Sequence, residues 1–161
     1  MVIVKPRYDL PCNIAQSLNI FGDRWTLLII HEILVGRTTF NDIRKALDGL
    51  SANILSERLK LLEEKGLVKS ELYSTHPPRY QYILTESGED LEPVFHSLII
   101  WGTKHLEHCF KKLVHSPTGD EVEIGYISKR TGKIVDDLEV IRIEDETINL
   151  EKRSTTHTIV N

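Results

Sequence analysis

The sequence predicts a mainly α domain of the α+β class, followed by a small β appendage. Three observations point there. Apolar residues recur at helical spacing over most of residues 1–113. Two short alternating segments interrupt that pattern, and the period changes again after His115.

The elements follow in order. Ile14, Leu18 and Phe21 lie at helical spacing, and Gly22 breaks that segment. Asp23 suits the N-cap of a second helix, Arg24 to Leu34, whose Trp25, Leu27, Leu28, Ile29 and Ile30 cover most of its circumference. Such a helix is buried on several sides. Gly36 ends it, and Thr39 caps a short helix, Phe40 to Leu47, with Phe40, Ile43 and Leu47 on one stripe. Asp48-Gly49-Leu50 makes a tight turn, Ser51 caps a longer helix to Lys65, and Gly66 closes it. Residues 67–73 and 80–84 read as two strands around Ser74-Thr75-His76-Pro77-Pro78-Arg79, whose paired prolines predict an extended loop.

Thr85 then caps a long helix carrying Leu91, Val94, Phe95, Leu98, Trp101, Leu106, Cys109 and Leu113, with Pro93 as a kink or its true start. After it, Ser116-Pro117-Thr118-Gly119-Asp120 is a turn cluster, and Val122, Ile124 and Tyr126 alternate with polar residues. Lys129 to Gly132 can turn, and Val140 to Ile143 offers another short strand. The expected division is therefore a body, residues 1–113, and a short β extension, residues 114–161.

Composition narrows the function classes. The chain has 161 residues, 40% hydrophobic and 27% charged, enough for one packed core without wholesale disorder. Its longest apolar run, Trp25 to Ile33, is interrupted by His31 and Glu32 and is too short to span a bilayer. No secretory pattern opens the sequence, and two cysteines, Cys12 and Cys109, make no disulfide framework, so a cytoplasmic protein is expected. Residues 1–113 carry 14 basic and 14 acidic side chains, whereas residues 114–161 carry 6 and 10, so the whole net charge of −4 belongs to the tail. A neutral body neither demands nor forbids nucleic acid, because a basic patch can occupy one face.

Helix, helix, short helix, tight turn, longer helix, hairpin: that string is a winged helix-turn-helix, in which the longer helix enters the major groove and the hairpin touches the backbone or minor groove. A helical wheel sharpens the expectation. With Leu55 as origin, Leu59, Leu62 and Gly66 fall within about 40°, a buried stripe. Asn53, Ser56, Glu57, Lys60 and Glu64 fall opposite. Asn53 can contact adenine through both amide atoms, and Ser56 and Lys60 can bond bases or phosphates. Ser51 and the amides after it suit a phosphate, Arg37 and Arg58 are the expected backbone contacts, and His76 and Arg79 are the candidates at the wing tip.

Several segments resemble the HxlR-type (MarR-related) transcription regulators. They are Cys12 to Gly22 with Asp23-Arg24-Trp25, Gly36 to Phe40, and Leu50-Ser51-Ala52-Asn53-Ile54-Leu55-Ser56-Glu57-Arg58-Leu59. Leu62-Glu63 with Gly66-Leu67-Val68, Pro77-Pro78, Tyr82 to Gly88, and Leu91-Glu92-Pro93-Val94 with Trp101-Gly102 continue the match in order over residues 12–102. The resemblance implies a homodimer built by the first and the long C-terminal dimerisation helix, reading the half-sites of a palindromic operator in double-stranded DNA. Two departures stand out. Thr39 occupies the place where the family commonly has Arg, with Arg37 nearby as a substitute phosphate contact. The C-terminal extension reads Thr118-Gly119 and Ser128-Lys129-Arg130-Thr131-Gly132 where longer members have Cys-Gly and Cys-x-x-Cys-Gly pairs, so no zinc site is expected.

The remaining features are weighed against plainer roles. Trp25, Phe40, Tyr82 and Trp101 are read as packing residues. Cys12 matches the position where thiol-sensing relatives keep a reactive cysteine, near a helix N-terminus that favours thiolate; the plainer role is a small residue at the dimer interface. Cys109, on the long helix, could approach a partner's Cys12. His105 and Cys109 share an i, i+4 spacing with too few ligands for a metal, and neither metal nor cofactor is expected. Glycine-rich phosphate loops, Gly-x-Ser-x-Gly and His-Glu-x-x-His are absent from the sequence, and the acidic stretch 136–151 reads as a solvated surface, so an enzyme is not expected. The resulting expectation is a dimeric DNA-binding regulator, responsive to an oxidant or a small molecule. The alternative is a winged-helix module that binds protein instead, with Glu57 and Glu64 opposing DNA.

Overall fold

The computed structural model describes residues 7–142. The chain divides into two compact units, Met1–Val122 and Glu123–Asn161, further along than the change of sequence character at 113/114. The first unit is built from α1 (Asn13–Phe21), α2 (Thr26–Leu34), α3 (Phe40–Ala46), α4 (Ala52–Glu64), β1 (Val68–Thr75), β2 (Pro78–Leu84), α5 (Glu86–Glu89) and α6 (Glu92–His105).

Local chemistry sets most of these boundaries. Asp23 Oδ1 accepts the Trp25 and Thr26 amides at 2.9 and 3.1 Å, capping α2 as expected although the helix itself begins at Thr26. Thr39, Ser51 and Thr85 cap α3, α4 and α5 through their hydroxyl oxygens. At the other end, Gly36 and Gly66 take φ of +92° and +71°, where a side chain would be strained. Arg37 N–H then reaches the Glu32 carbonyl and Leu67 N–H the Leu62 carbonyl, both at 2.9 Å, the six-to-one bonds of a glycine-terminated helix.

One core holds the first unit together. Ile29, Ile30 and Ile33 from α2 meet Ile43 from α3, Leu55, Leu59 and Leu62 from α4, Leu67, Val68 and Leu84 from the base of the hairpin, and Phe95 from α6. The all-round apolar α2 is central, as its sequence predicts. Gly88 is buried at the hairpin base, where a Cβ would run into the Leu67 carbonyl oxygen.

The structure corrects several expectations. The helix expected from Thr85 to Leu113 is two: short α5, then α6 with Pro93 in its first turn, where a missing N–H costs nothing. It ends at His105, so Cys109 is not on a helix, and His105 and Cys109 do not share a helical face. Thr103 Oγ1 meets the Lys111 carbonyl at 3.1 Å as the chain turns back, and Leu106 and Phe110 are exposed, leaving the apolar spacing nothing to pack on. The proline-containing loop is instead a tight reversal, with Thr75 paired to Pro78, Ser74 to Arg79, and a cis His76–Pro77 peptide.

One isolated β-bridge escaped the sequence altogether. The Tyr82 amide donates to the Thr38 carbonyl at 2.7 Å, and Thr39 bridges Gln81, so the segment before α3 borders the hairpin on the β2 side.

In the second unit, β3 (Tyr126–Ile127) pairs antiparallel with β4 (Ile134–Val135). The Ser128 amide meets the Lys133 carbonyl at 2.9 Å across the expected turn. The strand expected at 140–143 is not formed over 140–142, and Ile143 lies outside the described residues. The closing strand is the earlier pair Ile134–Val135, placed by that turn.

Candidate nucleic-acid interface

α4 is divided lengthwise. Leu55, Leu59 and Leu62 are buried, while Asn53, Ser56, Glu57, Lys60 and Glu64 face solvent. Its N-terminus is held by Ser51, whose Oγ accepts the Ile54 amide at 3.2 Å. Asn53 and Ser56 therefore stand on the first turns of a capped helix. Lys60 Nζ lies 3.9 Å from Glu64 Oε1, a solvent-exposed pair of little energetic weight that leaves the lysine available to another anion.

Two expected backbone contacts are otherwise engaged. Arg37 Nη1 lies 2.6 Å from Oε2 of the buried Glu32, whose other oxygen stands 3.3 Å from His31 Nδ1. Arg58 does not join the outward face. Its Nε is shielded from solvent, has no hydrogen-bond partner among the described residues, and stands 3.6 Å from Asp23 Oδ1. Burial tends to raise the Asp23 carboxyl pKa. The Thr26 hydroxyl, the Trp25 amide, the Arg58 charge and the Thr26 amide outweigh it and hold Asp23 below the usual carboxylate range.

The hairpin supplies a second exposed edge. His76 and Arg79 are exposed at its tip, with His76 Nδ1 3.1 Å from Thr75 Oγ1 and Ser74 Oγ donating to the Pro77 carbonyl at 3.1 Å. Further back, Lys69 Nζ pairs with Glu71 Oε1 at 2.8 Å. Tyr82 is half-buried, and burial followed by the nearby Glu63 charge pushes its hydroxyl pKa up, as befits a packing residue.

Sequence reasoning passed over Arg44 and Lys45. Both are exposed in the last turn of α3, neither forms an ion pair among the described residues, and they line a shallow concavity with Asp48 and Ser51 at the start of α4. The signal was available: two adjacent cations one tight turn before a helix N-terminus.

Cys12 is exposed at the N-cap of α1, with no side-chain cap hydrogen bond. Cys109 is also exposed, and its Sγ lies 3.5 Å from the Lys111 carbonyl.

A short bracing helix, a tight turn, a capped amphipathic helix and a pinned hairpin together define a winged helix-turn-helix protein. The HxlR-like helix-turn-helix family matches residues 20–110, over half of the chain, and this protein belongs to that family. YvaP of Bacillus subtilis (strain 168), an uncharacterized HTH-type transcriptional regulator, is 37% identical over 105 residues, which cover 65% of this chain and 92% of YvaP. Among solved structures, PA1607 matches with a TM-score of 0.68 at 28% identity, covering 82% of this chain and 95% of its own. HypR in its reduced form, a redox regulator, matches with a TM-score of 0.54 at 31% identity, covering 60% of this chain and 95% of its own. The protein is thus a transcriptional regulator of the HTH type, the fold and family its sequence resembles.

Proposed function

We propose that this regulator acts as a homodimer that binds a palindromic operator in duplex DNA, with α4 in the major groove. The observation that carries the reading is the lengthwise division of α4: a buried leucine stripe and an opposite face presenting Asn53, Ser56 and Lys60. Arg44, Lys45 and the α4 N-terminus at Ser51 supply backbone contacts on one side, and His76 and Arg79 on the wing supply them on the other.

Dimerisation is supported by apolar residues that stay exposed on two helices. Ile14 and Leu18 on α1, and Val94, Leu98 and Trp101 on α6, are exposed at i, i+4 and i+7 spacing. Cys12, accessible at the start of α1, is the candidate through which an oxidant alters binding, a reading that the redox regulator HypR supports by likeness. No helix among the described residues is long and apolar enough to cross a membrane, in keeping with a cytoplasmic DNA-binding role.

Fluorescence anisotropy tests this directly, with the reduced protein titrated into the duplex upstream of its own gene and into a scrambled duplex at two salt concentrations. Selective binding that weakens steeply with salt is the expected result. Binding to neither duplex at low salt would leave the outward Glu57 and Glu64 as the telling residues and a protein partner as the better reading.

A further inference from the structure

We infer that Arg58 is a positioning residue that makes no contact with DNA: with Asp23 it clasps α4 to the junction of α1 and α2 and so fixes which way the outer face points. The inference rests on the DNA reading of α4 proposed above.

Arg58 lies about 60° around the helix from Leu55, on the flank of the buried stripe and away from Asn53 and Lys60. Its shielded Nε has the Asp23 carboxylate at 3.6 Å and, among the described residues, no hydrogen-bond acceptor. That carboxylate cannot follow Arg58 outward, because Oδ1 holds the Trp25 and Thr26 amides and Oδ2 holds the Thr26 hydroxyl. Thr26 is itself fully buried at the start of the central helix α2. The anion is therefore fixed to the core, and drawing Arg58 away would strand a half-buried charge.

What the clasp adds is rotation. Leu55, Leu59 and Leu62 attach α4 by apolar contact, which is non-directional and opposes a small roll of the helix only weakly. Base readout is directional, since an amide or hydroxyl must meet its acceptor at a hydrogen-bond distance of about 2.7–3.2 Å and near-linear angle. A charged pair on one flank of the stripe gives the roll a definite stop. A phosphate contact through Arg58 Nε would require releasing the carboxylate it already faces.

The test compares the full-length protein with Arg58→Ala, Arg58→Lys, Asp23→Asn and the double variant Asp23→Asn/Arg58→Ala. Each is checked for folding by circular dichroism and titrated by anisotropy against the upstream and scrambled duplexes across a salt series. In each single variant the affinity ratio between the two duplexes should fall by about tenfold, with the double variant no worse than either single one. The slope of log affinity against log salt should stay at the wild-type value. A slope flatter by about one in Arg58→Ala, with Asp23→Asn behaving as wild type, would make Arg58 a phosphate contact and overturn the inference. Folded variants that melt lower but keep the wild-type ratio would overturn it too, leaving a purely structural pair. If Arg58→Ala does not fold, Arg58→Lys and Asp23→Asn decide by the same ratio. Wild-type protein that binds neither duplex overturns the DNA reading and the inference together. Selective wild-type binding with either contrary pattern removes the inference alone.

Discussion

Asn53 is the residue on which sequence discrimination should turn. It is exposed on the first turn of α4, and its amide can donate to and accept from one adenine edge at once. Asn53→Ala is expected to cost about 1–3 kcal/mol at one base pair and relax discrimination there, read by titrating single-base variants of the bound duplex. Asp23 carries a different prediction, in pH. Its carboxyl titrates below the usual range in the folded protein, so the stability it contributes is complete above the ordinary value of 3.8 and is lost as pH falls through the lower folded value. Urea unfolding should therefore show Asp23→Asn less stable than wild type at neutral pH, with the gap closing in acid. The inward turn of Arg58 was legible beforehand, since it lies three residues after Leu55 and falls beside the buried stripe on any helical wheel. The anchoring of Arg37 on Glu32 was not, because nothing in the spacing of those residues marks a buried carboxylate that needs a cation.

Elements were legible where local chemistry decides them. Thr39, Ser51 and Thr85 cap their helices as their residue types predict, and Gly36 and Gly66 end two others in a backbone region that favours glycine. Reading failed where a partner elsewhere decides. The apolar spacing of Leu106 and Leu113 continues the α6 pattern, yet the helix stops at His105 because periodicity does not reveal whether a packing surface is present. Nothing in Thr38-Thr39 announces a β-bridge; the free edge of β2 supplies its partner. The cap on α4 is the element closest to the proposed DNA-reading face. Ser51→Ala should destabilise the protein by about 1 kcal/mol in chemical denaturation and speed hydrogen exchange in the first turn of α4, around Asn53.

At the scale of the whole molecule, the balanced charge of residues 1–113 means that the proposed DNA affinity would have to come from placement and not from net charge. The outward Glu57 and Glu64 lower the return on nonspecific contact, which makes discrimination a larger share of what binding there is. The proposed palindromic operator would require two reading helices, and the exposed apolar residues of α1 and α6 are a surface that could bring them together. If the proposed dimer forms through this surface, replacing Leu98 and Trp101 together by Glu should leave a folded monomer in sedimentation velocity, because both side chains are more than half exposed in the single chain and contribute little to its core.

Gly88 joins the base of the wing to the approach of α6, at a place where the Leu67 carbonyl leaves no room for a Cβ. Most of the protein can absorb substitution by repacking or by facing water. This corner can do neither, since a backbone oxygen cannot swing aside as a side chain would. Position 88 should therefore tolerate little but glycine, for a reason unconnected with any ligand. A library randomised there and selected only for folded protein would return glycine.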